Sequence, residues 1–441
     1  MLTLQAQKKR QKYLGQYAEP IVRDIAKVSD ALAHYSLENA LVIPAYKETD
    51  CFINRLASSP LAKQNACFVV VINQPDSDTE SKPQQQLFHQ ALSMGKEIGS
   101  TEQCTFIALN NSNSLLVVVD CYTQPLPKEQ GVGLARKIGC DLVIAMAEQG
   151  TVNATFIGST DADAHLPSNY FDVMTNLDSA TTSGVCYGFH HCYREKTHTD
   201  TQRRTQKATQ AYEQAMAYYV AGLTYARSPY AFFTIGSILA ISTIAYVDVR
   251  GFVKKSAGED FYTLNKLAKL GKIAQSNEAT IYLTPRLSDR VPFGTGPAVK
   301  DILALEQANE PYCYYHPQCF VELKHSLEVI QSLAQDTLLE KVLDAKKDLG
   351  QINDIVANEI NVLSTYSKKA LEDIGFIHFL TKQLAQNANN KKQLTAQITN
   401  WFDAFKTLKF IHSIKQEYHD IPLVDAISTA PFSIRQAGLT G

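Results

Sequence analysis

The feature that most constrains the fold is a series of short apolar runs, rich in β-branched residues, that alternate with helical patterns. Strands that alternate with helices in this way form a parallel sheet flanked by helices. The sequence therefore predicts an α/β fold with a mostly parallel sheet. The predicted strands occupy residues 39–46, 66–73, 114–120 and 154–163, and the helical patterns between them occupy residues 47–59, 86–100 and 128–149.

Polar side chains stand at or just after the ends of these predicted strands. In α/β sheets ligands bind outside the carboxyl ends of the strands. We therefore expect the strand-end residues to line one crevice. They are Pro44, Tyr46, Asn73, Asp120, Asp161 and Asp163.

Two acids stand at the end of the fourth predicted strand, in the stretch FIGSTDADAHLP. Asp161 and Asp163 are two residues apart, so on an extended chain their side chains would point to the same side. Carboxylates hold Mg²⁺ or Mn²⁺ in nucleotide sites, where phosphates supply further ligands. The alternative is a turn with Asp at its caps, a position that suits this residue. The pair is a candidate metal site.

A second acidic pair, Glu259 and Asp260, precedes an amphipathic helical pattern in SAGEDFYTLNKL. One carboxylate could act as a general base toward an acceptor hydroxyl. Acids at the start of a helix are also favoured by the helix dipole alone. Both interpretations stay open at this point.

Arginines occur in two glycine-containing segments. GVGLARKIG contains Arg136, and RLSDRVPFGTG contains Arg286 and Arg290. Glycine lets the backbone approach a ligand closely, and a guanidinium presents a fixed fork to phosphate or base. The alternatives are an arginine on the solvated side of a helix and a surface linker. GVGLARKIG does not match the dinucleotide-binding or P-loop patterns.

Histidines are the candidates for a third metal ligand, although each one alone is more typical of a structural role. His190 and His191 are neighbours on a predicted strand and should face opposite sides. The candidates are His165, His190, His191 and His316.

Composition excludes several classes of protein. A formal charge of −2 gives no electrostatic basis for binding nucleic acid. The nine cysteines form no CxxC pair and are typical of a reducing compartment. The N-terminal residues lack an apolar segment, so we expect no signal peptide. The uncharged stretch at 228–247 approaches the length of a membrane span, but polar residues interrupt it, which favours two buried elements around a Gly-Ser turn.

Helical patterns dominate outside the predicted sheet. Residues 1–38 are predicted as an N-terminal helical extension with a break near Pro20. Beyond residue 301 apolar residues follow helical spacing, and no proline occurs from Gln318 to Ile421. We therefore predict a C-terminal helical region over residues 301–441. It is a candidate surface for a homo-oligomer, and the sharper alternative is a lid that binds an acceptor.

Five segments resemble motifs of the family-2 glycosyltransferases, whose fold is called GT-A, and they follow one another along the chain in the order of those motifs. The resemblance covers roughly residues 39–300, which we predict to be one GT-A domain. VIPAYKE is similar to the opening strand and turn of the family, and STDADAHLP to its D-x-D element. The other three similar segments are GVGLARKIG, GSILAISTIAYVDVRGF and SAGEDFYTLNKLAKLGK.

The resemblance implies a metal-dependent, inverting transfer of a hexose from a UDP- or GDP-linked sugar to an acceptor hydroxyl. Asp161 and Asp163 would hold Mn²⁺ or Mg²⁺, and Asp260 would be the catalytic base with Glu259 beside it. Gly236 and Ser237 would border the acceptor, whose nature (glycan, lipid or small molecule) stays open. The expected donor-binding residues are Pro44, Ala45, Tyr46, Glu48, Asn73, Arg136, Asp161 and Arg290.

The sequence also departs from the family pattern. Lys47 replaces the usual Asn of the first motif, and INQPDSDTE stands where an acidic nucleobase contact is usual. Asn73 takes the strand-end position there, with Asp76 or Asp78 as substitutes. The alternatives are a nucleotidyltransferase and a non-catalytic scaffold on a degenerate transferase fold. We expect a cytoplasmic protein, and a peripheral position at the inner face of a membrane stays open.

Overall fold

The computed structural model describes residues 3–49, 51–194, 197–287, 294–333, 336–345, 348–387 and 389–434. The chain divides into two compact units. The first, called the sheet unit, comprises Met1–Gln210 and Thr234–Asp301. The second, called the helical unit, comprises Ala211–Phe233 and Ile302–Gly441.

One large sheet forms the centre of the sheet unit. Its spatial order is β3-β4-β5-β2-β1-β6-β8-β7-β9. Within the described residues its strands are β1 Asn39–Ala45, β2 Ala66–Pro75, β3 Gly95–Ser100, β4 Cys104–Leu109, β5 Leu115–Leu126, β6 Phe156–Ser159, β7 Thr182–His191, β8 Leu239–Ser242 and β9 Lys272–Leu283.

The sheet is mostly parallel in direction. Strands β5, β2, β1 and β6 pair in parallel, and β7 pairs in parallel with β9. Strands β4 and β8 run opposite to their neighbours, so seven of the nine described strands point the same way. The register aligns Ala45 with Ile72 and, after a register shift, Pro75 with Leu126, which brings the carboxyl ends of β1, β2 and β5 to one edge. The predicted α/β class is confirmed.

Helices cover the sheet because its central strands are buried on both faces. Gly139 lets one of these helices, α5, pack closely, since a Cβ there would lie 2.3 Å from a methyl of Val42 on β1. The described helices that begin in the sheet unit are α1 Leu4–Gln16, α2 Ser29–Leu32, α3 Cys51–Ala57, α4 Lys82–Leu92, α5 Gly131–Glu148, α6 Tyr170–Thr175, α7 Asp200–Tyr225, α8 Thr243–Asp248, α9 Glu259–Leu267 and α10 Thr295–Ala308.

The segment predicted as a helix over residues 86–100 differs from the structure. Helix α4 ends at Leu92, and Gly95–Ser100 forms the edge strand β3, paired with β4. Strand β3 is largely exposed, so it carries no apolar run that would mark it as a strand. The prediction is therefore wrong beyond Leu92, and β4 was not anticipated.

The N-terminal extension is helical, with a break before the 3-10 helix Pro20–Val28, as predicted. Helix α1 is fastened to α5 through Asp141, which is fully buried. Asp141 accepts hydrogen bonds from the Tyr13 hydroxyl, from Tyr246 Oη at 2.7 Å and from Lys137 Nζ at 2.8 Å. We call these four residues the Asp141 cluster.

The apolar stretch at 228–247 breaks into short elements around Gly236 and Ser237, as predicted. It contains the 3-10 helix Gly236–Ile238, the strand β8 and most of the helix α8. In the part of the chain that the structure describes, no helix is both long and apolar enough to cross a membrane.

The helical unit is built around its own apolar core. Tyr218 and Leu223 on α7 belong to this core together with Phe320 and Leu323. The rings of Tyr218 and Phe320 meet edge to face at 5.5 Å. Its remaining described elements are α11 Gln318–Ser332, α12 Asp336–Asp344, α13 Leu349–Ile360, α14 Thr365–Asp373, α15 Phe376–Asn387, α16 Lys391–Trp401, α17 Ala404–Ile414 and α18 Leu423–Thr429, with the short strands β10 Cys313–Tyr314 and β11 Ile421–Pro422.

Candidate functional site

The first acidic pair lies in a turn just after β6. Strand β6 ends at Ser159, and the amide of Ala164 donates to the carbonyl of Asp161 at 3.1 Å. The expected extended geometry of Asp161 and Asp163 is therefore wrong. Their carboxylates bond to different arginines, Arg136 and Arg286. The side chain of Asp161 is 37% exposed and that of Asp163 is 19% exposed, so both reach the surface of the site.

Arg136, on α5, is the centre of the site and is only 2% exposed. Its Nη2 donates to Asp161 Oδ1 at 2.6 Å, and its Nε donates to Glu259 Oε1 at 3.0 Å. Its Nη1 donates to Ser159 Oγ at 2.7 Å and to the Thr160 carbonyl at 3.4 Å. Burial alone would lower the pKa of Arg136, but the nearby carboxylates raise it overall. The guanidinium therefore stays charged and joins the two acidic pairs.

The second acidic pair opens helix α9, as predicted. Gly258, with φ at 70°, precedes the helix, and Glu259 is buried against Arg136. Asp260 is partly exposed, and its Oδ1 accepts from the Phe261 amide at 2.7 Å. Burial and the charge of Glu259 raise the pKa of Asp260 to about 8, although the Phe261 amide and Arg136 act in the opposite direction. A carboxyl that titrates near neutral pH is suited to proton transfer.

Arg286 joins Asp163 to Glu48, the residue expected to border the donor. Its Nε lies 3.0 Å from Asp163 Oδ2, and its Nη1 lies 3.1 Å from Glu48 Oε1. Burial and the charges of Asp161 and Glu48 raise the pKa of Asp163 to about 6, although Arg286 acts in the opposite direction. Asp163 therefore belongs to the same electrostatic cluster as Asp161.

Arg55, on α3, holds the backbone of the Asp163 turn. Its Nη2 donates to the carbonyls of Ala162 at 2.8 Å and Ala164 at 3.0 Å. These carbonyls flank Asp163, so Arg55 fixes the turn through its backbone. Sequence reasoning missed Arg55, since a single arginine in a helical pattern carries no signal of such a partner.

A second polar group lies at the ends of β1 and β2. Tyr46 Oη donates to Asp78 Oδ2 at 2.7 Å, and Lys47 Nζ lies 2.9 Å from the same oxygen. The hydrogen bond from Tyr46 and the proximity of Lys47 lower the pKa of Asp78. Asn73 is 6% exposed, and its Oδ1 has no hydrogen-bond partner among the described residues. A ligand donor would satisfy this buried acceptor, whose isolation is otherwise unfavourable.

The remaining expected site residues have varied surroundings. Pro44 and Ala45 are buried in β1. Gly236 and Ser237 are buried beside Arg136, and a Cβ on Gly236 would lie 2.5 Å from Arg136 Nη2. Arg290 lies outside the described residues.

Asp120, expected at a strand end in the crevice, lies within β5, which continues to Leu126, so the predicted strand over residues 114–120 ends too early. Asp120 Oδ1 accepts from the amides of Tyr122 at 3.0 Å and Thr123 at 2.9 Å, and its Oδ2 accepts from Thr123 Oγ1 at 2.6 Å. These bonds satisfy the carboxylate of Asp120 through the backbone and side chain of nearby residues.

Carboxylate oxygens at the turn after β6 are of the type that Mg²⁺ and Mn²⁺ prefer. In the described ranges, no group of three or more His, Cys, Asp or Glu side chains is arranged to hold a metal ion. Mg²⁺ commonly takes one or two protein carboxylates, with phosphates and water completing its shell. Asp161 and Asp163 are two carboxylates in one turn, and each is ion-paired with an arginine. His191 is close enough to lower the pKa of Asp163, whereas His316 belongs to the helical unit.

Within the described residues, Arg136 and Arg286 join carboxylates from the turn after β6, from the start of α9 and from the segment after β1 into one group. No model of a known protein family matches the chain, and no curated protein matches it.

Proposed function

We propose that the chain is a glycosyltransferase with a GT-A-type fold, which moves a hexose from a UDP- or GDP-linked sugar to an acceptor hydroxyl. One observation carries the proposal: Arg136 bonds at the same time to Asp161, at the end of a parallel strand, and to Glu259, beside Asp260. A cation-binding pair and a candidate base thereby belong to one site. This is the arrangement that a metal-assisted transfer to a hydroxyl requires.

The polar group at the ends of β1 and β2 supports the donor part of the proposal. Tyr46 offers an aromatic ring for a nucleobase, and the unsatisfied Oδ1 of Asn73 accepts a hydrogen bond from a base N–H. Both residues stand at the edge of the sheet where ligands of α/β proteins bind.

In the proposed reaction, Asp260 removes the proton from the acceptor hydroxyl, and the resulting oxygen attacks the anomeric carbon. The bond from that carbon to the diphosphate breaks on the opposite face, so the configuration inverts. The nucleoside diphosphate leaves. Glu259 stays paired with Arg136, and its charge keeps the pKa of Asp260 high enough for Asp260 to be an effective base.

A divalent ion held by Asp161 and Asp163 would neutralise charge that develops on the leaving diphosphate. Arg55 fixes the backbone of the turn that carries Asp163. Arg286 lies beside the same carboxylate and would add positive charge near the phosphates.

A thermal-shift panel of UDP- and GDP-sugars, with and without Mn²⁺, tests the donor class. We expect one nucleotide sugar to raise the melting temperature only when Mn²⁺ is present. Product mass analysis with that donor should then show a nucleoside diphosphate. Release of pyrophosphate would instead indicate a nucleotidyltransferase, and the absence of any shift would indicate a scaffold.

Asp260→Asn tests the base. The variant should lose transfer by about a hundredfold or more, because it removes the group that accepts the proton. Asp172→Asn, an exposed acid on α6, is the matched control and should keep the rate of the parent protein. Transfer by Asp260→Asn at the parental rate would refute the assignment.

A further inference from the structure

One guanidinium is shared between the two acidic pairs of the site. Arg136 bonds to Asp161 through Nη2 and to Glu259 through Nε. Asp161 lies in the turn after β6, and Glu259 opens α9, so the two acids come from elements far apart in sequence. Arg136 is a direct hydrogen-bonded link between them.

The surroundings of Arg136 hold it in this position. All three guanidinium nitrogens donate to protein oxygens, and the side chain is 2% exposed. Gly236 packs against it so closely that a Cβ would lie 2.5 Å from Nη2. Thr160 Oγ1 donates to the Ser237 carbonyl at 2.8 Å, which fixes the Gly236 segment to the end of β6. Contact with a donor would require several of these bonds to break.

We infer that Arg136 is a positioning residue that divides one positive charge between Asp161 and Glu259, and so sets how strongly Asp161 holds a divalent cation. It acts through these two carboxylates and not by contact with the sugar donor. The inference rests on the proposed function, because it takes Asp161 to be a metal ligand.

Asp161 and Glu259 compete for the guanidinium of Arg136. Charge-assisted hydrogen bonds in a buried site are strong, and groups around a metal ligand tune the affinity of the site for its ion. Neutralising Glu259 leaves Asp161 as the principal anionic partner of Arg136. Arg136 then holds Asp161 more tightly, and the metal binds less well.

The test measures Mn²⁺ binding to the full chain by the electron paramagnetic resonance signal of free Mn²⁺, with no donor present. Glu259→Gln should weaken Mn²⁺ binding roughly tenfold. Glu278→Gln, an exposed acid on β9, is the matched control and should leave the affinity unchanged. In an Arg136→Lys background, where the fork is lost, Glu259→Gln should have a much smaller effect.

Two outcomes are distinguishable. If Asp161→Asn abolishes Mn²⁺ binding but Glu259→Gln leaves it unchanged, the role of Arg136 is refuted while the metal site stands. If the parent protein binds no Mn²⁺ even when UDP or GDP is added to supply phosphate ligands, the proposed metal site and this inference both fail.

A second measurement applies even if Arg136→Lys does not fold. In a thermal double-mutant cycle, Asp161→Asn with Glu259→Gln should lose more stability than the two single losses together, because only the double variant leaves Arg136 without an anionic partner. Additive losses would overturn the inference.

Discussion

At the scale of single residues, Asp260 and Glu259 differ in role although they are neighbours. Glu259 is ion-paired with Arg136, whereas Asp260 has a pKa raised to about 8 by burial and by the charge of Glu259. A base acts in its deprotonated form, so the reaction should need the pH to rise through this pKa. The two acids therefore give different predictions.

The first prediction concerns pH dependence. In the parent protein kcat/KM for transfer should rise with pH, with an apparent pKa near 8 for Asp260. Glu259→Gln removes a charge that raises this pKa, so the rising limb should move to lower pH while transfer persists. Rates measured from acid to alkaline pH check the shift. Complete loss of transfer in Glu259→Gln would make Glu259 the base instead.

The second prediction concerns stability. The pKa of Asp260 is about 8 in the folded chain, against 3.8 for a free carboxyl, so the folded state binds this proton more tightly than the unfolded state. Asp260 therefore contributes stability below pH 3.8, and the contribution is lost as the pH rises through about 8.

In acid, Asp260→Asn should have a melting temperature close to that of the parent protein. As the pH rises to about 8, the melting temperature of the variant should increasingly exceed that of the parent protein. Asp172→Asn is again the control. A difference that does not change with pH would contradict the raised pKa.

The sequence identifies the acids of the site better than their partners. Asp161, Asp163, Glu259 and Asp260 stand next to recognisable strand and helix boundaries, which give them a local signal. The bonds of Arg286 to Glu48 and Asp163 join residues far apart in the chain. Such pairings depend on tertiary packing, which periodicity and spacing do not encode.

At the scale of elements, the Asp141 cluster fastens helix α1 to the sheet unit. Lys137 is the cation that compensates the fully buried Asp141, and the hydroxyls of Tyr13 and Tyr246 and the amide of Glu19 also donate to it. A buried carboxylate that loses its cation destabilises the folded state, because water cannot reach the carboxylate to compensate its charge. The attachment of α1 therefore depends on this cluster.

The third prediction follows from that cluster. Lys137→Met should lower the free energy of unfolding by about 3–5 kcal/mol, because Asp141 would stay buried without its cation. Lys27→Met removes an exposed pair with Asp24 and should cost at most about 1 kcal/mol. Urea unfolding of both variants measures the difference. Equal losses would show that the buried pair contributes no more than a surface pair.

Elements with strong periodicity were predictable, and weakly patterned ones were not. The buried strands β1, β2 and β5 and the helix α5 each carry a long apolar pattern, so their existence followed from the sequence. Strand β3 has exposed side chains and two glycines, and among the described strands it pairs with β4 alone. Edge strands of this kind look like loops or helix ends in a sequence.

At the scale of the whole molecule, each unit is built from two separate pieces of chain. The core of the helical unit includes Tyr218 and Leu223, which precede the acidic pair at Glu259 and Asp260 in sequence. The change in composition near Gly296 marks the later piece of this unit, but no sequence signal assigns Ala211–Phe233 to the same core. Helix α7 continues across the boundary between the units without a break.

The fourth prediction tests this division. A fragment comprising Ile302–Gly441 should lack a cooperative thermal transition, because it has lost the core residues that Ala211–Phe233 contributes. Adding a peptide with the sequence of Ala211–Phe233 should restore the transition, followed by circular dichroism. The same peptide with Tyr218→Ala and Leu223→Ala is the control and should not. Cooperative melting of the fragment alone would contradict the division.

The interleaving of the two units has a consequence for biosynthesis. The ribosome synthesises Ala211–Phe233 before Ile302–Gly441, which covers its apolar side in the folded unit. The sheet unit is complete once Thr234–Asp301 has been synthesised. The candidate site can therefore assemble while Ala211–Phe233 is still uncovered. A nascent chain at this stage carries a nearly complete sheet unit together with an uncovered apolar segment, and chaperones that bind such segments would act there.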